Sequence, residues 1–189
     1  MLLLDRYLPE FSFKETHWHD IPASQTDVMA QAMKFRPEQD AFIRHMIALR
    51  EIPMRLRGRL DTNKPANANP FGLDNFTLLE QSGDAEVAFG LIGKFWRLNY
   101  GQVRCEDTSA FQTFDTPGMA KLVLGFSTRP LGGGLTRLST ETRVYCTDRA
   151  AWAKFAPYWY LIRPVSGLIR KRILRSIGAN TMSGAKAST

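Results

Sequence analysis

A chain of 189 residues, 44% hydrophobic and 23% charged, excludes global disorder and suits one domain with one sizeable core. No run approaches the roughly 20 apolar residues of a membrane-spanning helix. The apolar start at Leu2–Leu4 is too brief for a secretory signal, so a cytoplasmic protein is expected. The net charge of +7 is uneven: residues 1–148 hold 17 basic and 18 acidic side chains, whereas residues 149–189 hold 8 basic ones and no acid. The basicity thus belongs to the C-terminal segment and points to an anionic partner or a solvated helix face.

Glu10–Ile21 reads as a first strand, with Phe11, Phe13 and Glu15 alternating against Ser12 and Lys14. Ser24 is an N-cap with Asp27 in the first turn, which predicts a helix over about 25–35. Pro37 opens a second helix carrying Phe42, Ile43, Met46 and Ile47, and Pro53 ends or breaks it. Residues 61–75, rich in Asn and Pro, read as a long loop. Strands are then predicted at Phe76–Gln81, Glu86–Tyr100, Glu106–Asp115, Met119–Thr128 and Leu135–Thr147, separated by short turns that imply antiparallel pairing.

Asp148 caps a last helix expected over Arg149–Ile177, with Pro157 and Pro164 bending or interrupting it. Val165, Leu168, Ile169, Ile173 and Ile177 form its expected apolar stripe, while Ser166, Arg170, Lys171 and Arg175 face away. Gly178 is the expected stop, which makes 1–178 a single domain and 179–189 a disordered tail.

This order predicts an α+β fold: a curved antiparallel sheet of about six strands wrapped around the long C-terminal helix, with two short helices after the first strand. A space between helix and sheet is a natural apolar cavity. The segments Phe89–Trp96, Pro117–Lys121, Leu138–Val144 and Tyr158–Arg170 are similar to blocks of a bacterial branch of the START-like superfamily, with its helix-grip fold. The resemblance covers about residues 10–178 and implies a pocket but no particular reaction. Lipid carriers, polyketide binders, cyclases and aromatases share the fold, and no residue role carries over.

Phe89, Trp96, Phe111, Phe126, Tyr158 and Trp159 are the aromatic candidates for a cavity wall, alongside Phe95, Phe114, Tyr145, Trp152, Phe155 and Leu161. Filling the core is the default reading for any one of them, while the group as a whole leaves room for a cavity where a curved sheet meets a straight helix. Thr140 and Thr142 share the inward side of their strand and would orient a ligand hydroxyl or carbonyl. Glu141 and Arg143 would point outward as a solvated ion pair.

His17 and His19 share one strand face but lack an evident third ligand, so no metal is expected, and no cofactor either. Gly90 and Gly93 would let their strand bend or bulge. Cys105 and Cys146 read as buried free thiols. Glu106, Asp107 and Asp115 are acid/base candidates without a partner that singles one out.

Arg163, Arg170, Lys171, Arg172 and Arg175 form a basic helix end suited to its dipole or to an anionic membrane surface. No nucleic-acid motif accompanies that charge. The expected function is binding of a hydrophobic small molecule or lipid. The alternatives are a cyclase or aromatase acting on a polyketide-like substrate and a membrane-peripheral or partner-binding protein.

Overall fold

The computed structural model describes residues 2–36, 40–43, 45–46, 76–97, 101–105 and 107–187. They form a short helix α1 (Leu3–Tyr7), strand β1 (Phe13–Ile21), helix α2 (Gln25–Lys34), strands β2 (Thr77–Ser82) and β3 (Glu86–Gly93), helix α3 (Thr108–Thr113), strands β4 (Ala120–Gly132) and β5 (Leu135–Cys146), and a long helix α4 (Arg149–Ala187). Residues 41–43 and 45–46 of the expected second helix are helical. The remainder of that helix and the 61–75 loop lie outside the described residues.

The fold is α+β. Five strands make one open, curved antiparallel sheet in the order β1-β5-β4-β3-β2. The β4–β5 hairpin closes through Gly133 and Gly134, whose φ values of 60° and 76° are those a tight two-residue hairpin turn demands. The irregularity expected at Gly90 and Gly93 falls instead in β2, between Leu78 and Glu80. Gly90 serves a neighbour: a methyl group there would stand 2.8 Å from the Phe111 ring.

The sixth strand expected at Glu106–Asp115 is a helix. Asp107 Oδ1 accepts the Ala110 N–H at 2.7 Å, and this cap starts α3. Phe111 and Phe114, three apart, then turn to one apolar cluster as helix spacing requires.

Asp148 caps α4 as expected, accepting from Ala151 N at 2.6 Å. Its other oxygen accepts from Gly118 N at 2.7 Å and ties the turn before β4 to the helix start. These bonds hold its carboxyl below the ordinary value.

The expected interruption of α4 at its prolines and its expected stop at Gly178 are corrected. The helix runs unbroken through Pro157 and Pro164. Both prolines, and the residues four before them whose carbonyls they release, lie on the exposed side, where water satisfies the freed groups. Nor does it stop at Gly178: residues 179–187 continue it, and Thr181, buried, returns a hydrogen bond to Ile177 O at 2.8 Å.

Both faces of the sheet are covered. On the inner face, α4 packs two apolar clusters. Phe13, Leu91, Phe95, Val144, Phe155 and Trp159 form one, and Ile21, Val28, Phe126, Leu138, Leu174 and Ile177 form the other with α2. On the outer face, α1 and α3 cover Ala88, Ile92 and Val123 through Leu4, Tyr7 and Phe111.

Arg143 lies under α1 and is only 4% exposed. It donates to Leu8 O at 3.1 Å, Asp5 Oδ1 at 2.8 Å and Glu141 Oε1 at 2.7 Å. The expected outward ion pair with Glu141 therefore exists but is not solvated, because the short N-terminal helix covers it. Each cysteine is a buried free thiol. Burial raises both, Cys146 to about 11, so neither offers a thiolate near neutral pH.

A polar band between sheet and helix

The two inner clusters do not touch along β1, β5 and α4 as one continuous core. Reading down β1, Phe13 belongs to the first and Ile21 to the second, with Glu15, His17 and His19 between. Down β5 the sequence is Val144, Thr142, Thr140, Leu138. Cross-strand register sets Glu15 opposite Thr142 and His17 opposite Thr140, so all four side chains share the inner face. On α4, Ile162 and Leu174 flank Ser166 and Arg170. Three elements thus present polar residues at one level.

At that level Arg170 Nη2 donates to Thr142 Oγ1 at 2.6 Å and Nη1 to Glu15 Oε2 at 3.2 Å. The other Glu15 oxygen lies 2.7 Å from His17 Nε2. A carboxylate only accepts, so this ring nitrogen carries the proton. Glu15 is 6% exposed. A carboxylate so placed is tolerable only with such partners.

The approach of α4 depends on Gly167 and Gly178. A methyl group on Gly167 would stand 3.2 Å from Glu15 Oε1, and one on Gly178 would stand 3.3 Å from Ile21. Both positions bring the helix backbone down onto β1.

A cavity of about 60 Å³ adjoins the band, lined chiefly by Phe76, Phe95, Leu124, Phe155, Trp159 and Ile162, with Thr142, Ser166 and Arg170 at its polar end. A larger open cleft, about 560 Å³, lies between α2 and the end of α4. Its walls combine four cations and the Arg172–Asp40 ion pair at 2.9 Å with Gln31, Phe35, Ser176 and Asn180. Of these two, the smaller is the candidate site, because it joins apolar walls to hydrogen-bonding groups set inside the fold.

Of the eight residues expected to contact a ligand, Thr142, Tyr158 and Trp159 line this cavity. Trp96 packs against Phe155 at its edge. Phe89 and Phe126 face inward too, but in the second cluster beside α2. Phe111 is corrected: it is buried on the outer face, in α3, with Phe114 and Tyr145. Leu161, expected to face the sheet, is exposed on α4, whereas Trp152 is half-exposed but stacks on Phe13 of β1 with ring centroids 6.2 Å apart.

Of the expected α4 stripe, Ile169 and Ile177 are buried and Ile173 packs on the second cluster, and the departure is local. Leu168 is exposed, while Ser166 and Leu174 are buried and Arg170 is drawn inside rather than to the basic surface. Asp107 caps α3 on the outer side, and Glu106 lies outside the described residues. Among the described residues no three metal-ligating side chains come together.

Sequence reasoning missed the pairing of Glu15 with Arg170. A carboxylate at an inward position of an alternating strand was the available signal.

Thr140 completes the band differently. Its hydroxyl is buried and, among the described residues, has no hydrogen-bond partner. Thr140→Val, of nearly the same shape, is therefore expected to stabilise the fold by about 1 kcal/mol. Urea denaturation checks this, and a loss of stability would mean that the hydroxyl holds a bound water instead.

No protein-family model matches the chain, and no curated protein sequence is significantly similar to it. Among the described residues no helix is long and apolar enough to cross a membrane.

Proposed function

We propose that the protein binds a small amphiphilic molecule between the sheet and α4, with its apolar part among Phe76, Phe95, Phe155 and Trp159 and its polar group at Thr142, Ser166 and Arg170. The observation that supports this most is the meeting of an aromatic cavity with a half-buried guanidinium and two hydroxyls. An arginine among the lining residues of an apolar pocket favours a carboxylate or phosphate head over a neutral one.

The order of strands and the long helix across their inner face suit the helix-grip arrangement, with which such a pocket agrees. The volume of about 60 Å³ takes only a few non-hydrogen atoms as built. A longer chain would enter only by displacing Phe155, Tyr158 or Trp159.

Titration with a fatty-acid series, read by Trp159 fluorescence against a Trp159→Phe control, tests the reading. Saturable binding that weakens about 10-fold in Thr142→Val supports it, as expected for one lost hydrogen bond to a charged group. No binding at any chain length, or binding indifferent to Thr142→Val, overturns it.

A second reading rests on the hydrogen bond from His17 to Glu15. A carboxylate that orients an imidazole is a proton-transfer pair, suited to a cyclase- or aromatase-type step. Turnover lost in His17→Gln with ligand binding retained would favour it.

A further inference from the structure

The outward side of α4 carries a surface that ligand binding does not use. Residues spaced by 3, 4 or 7 on a helix share a face. Pro157, Tyr160, Leu161, Pro164 and Leu168 do so, and all are exposed, with Tyr160 at 63%, Leu161 at 59% and Leu168 at 52%. Further along the same face come Lys171, Arg172, Arg175 and Met182, also exposed.

Lys154 and Arg163 flank the apolar half. Arg175 and Arg172 also wall the open cleft beside α2, to which Lys34 and Arg36 add two cations. No acidic residue occurs anywhere from 149 to 189.

A helix face that exposes leucines needs a reason, since water gains nothing from them. Long cations beside them can extend to anionic headgroups while leucine, tyrosine and methionine side chains enter the acyl boundary. Residues 149–189 contribute no acid to this surface, and among the described residues the one carboxylate set against it is Asp40, paired with Arg172 at 2.9 Å, so the cations outnumber it and repulsion from anionic headgroups is small. Phosphate contacts on a nucleic acid would leave the leucines unused, because these contacts come from cations and polar donors.

We propose that the exposed face of α4 from Pro157 to Met182 docks on an anionic lipid bilayer, its leucines and Tyr160 inserted at the interface and Lys171, Arg172 and Arg175 on the headgroups. The opposite side of the same helix lines the cavity, so docking would bring the wall of that cavity against the membrane.

Sedimentation of the full chain with vesicles tests the proposal, using phosphatidylcholine alone and phosphatidylcholine mixed with phosphatidylserine. Binding is expected only to the mixed vesicles and should weaken with added salt. Lys171→Gln/Arg172→Gln/Arg175→Gln should weaken it by about 100-fold, at roughly 5-fold per cation. Leu161→Ser/Leu168→Ser, which leaves the charge unchanged, should weaken it by about 10-fold through lost apolar insertion.

Circular-dichroism melts matching the wild type confirm that both variants fold. Equal binding to the two vesicle types overturns the proposal, as does no binding to either. Full affinity in the leucine variant also overturns it, because the face would then be a charge patch for any polyanion, an acidic protein included.

Discussion

Replacing Arg170 with methionine is expected to destabilise the fold by about 3–5 kcal/mol, the usual cost of removing one partner of a buried ion pair. The loss arises at Glu15, not at Arg170. Methionine fills the space of the arginine stem, but the Glu15 carboxylate, 6% exposed, would keep only His17 and lose its guanidinium. Thr142 would lose its donor at the same time.

The double variant Glu15→Gln/Arg170→Met should recover much of this, because no buried charge remains. Urea denaturation midpoints at constant slope measure both. A single-variant loss under about 1 kcal/mol would place the pair with solvated surface bridges and remove the basis for treating the band as a site.

The second large effect is expected on the outer face. Arg143→Met should cost about 3 kcal/mol, since it leaves the Glu141 carboxylate and the Leu8 carbonyl without their buried donor. It also releases α1, whose Leu3, Leu4 and Tyr7 cover Ala88, Ile92 and Val123.

The same contacts set a pH dependence. A hydrogen bond from Arg143, opposed by partial burial, holds the Asp5 carboxyl below its ordinary value. Burial pushes Glu141 upward, but hydrogen bonds from Arg143 and Lys14 outweigh it and its value is lowered as well. A depressed folded-state value means stability that is present above the ordinary carboxylate range, near pH 4, and lost as pH falls through the lowered values.

The thermal midpoint of the wild type should therefore drop on acidification below about pH 4. In Arg143→Met the drop should be shallower, because these two carboxylates no longer differ as much between folded and unfolded chains. Parallel curves for the two proteins would refute the assignment.

The amino-acid sequence by itself determined what depends on neighbours along the chain. Ser24 and Asp148 marked helix starts because a cap needs only the next few backbone N–H groups. The glycine turn between β4 and β5 is legible for the same reason, as is the inward alternation of Leu138, Thr140, Thr142 and Val144. The cationic, acid-free character of the C-terminal segment is composition alone.

What the sequence left open depended on partners distant in the chain. The short α1 reads as a few apolar residues until Arg143 and Glu80 hold it, the latter through Arg6 and the Tyr7 hydroxyl. The α3 segment holds aromatics that suit a strand or a helix, and its packing under Lys121 and Leu79 decided between them.

The places of Leu168 and Arg170 on α4 were likewise set by tertiary structure. Counting apolar residues placed Leu168 inside and Arg170 outside, yet β1 presents Glu15 at that level. Only a cation from the helix could then make burial of the carboxylate tolerable. The polar band is thus a property of three elements meeting, and no one of them carries it alone.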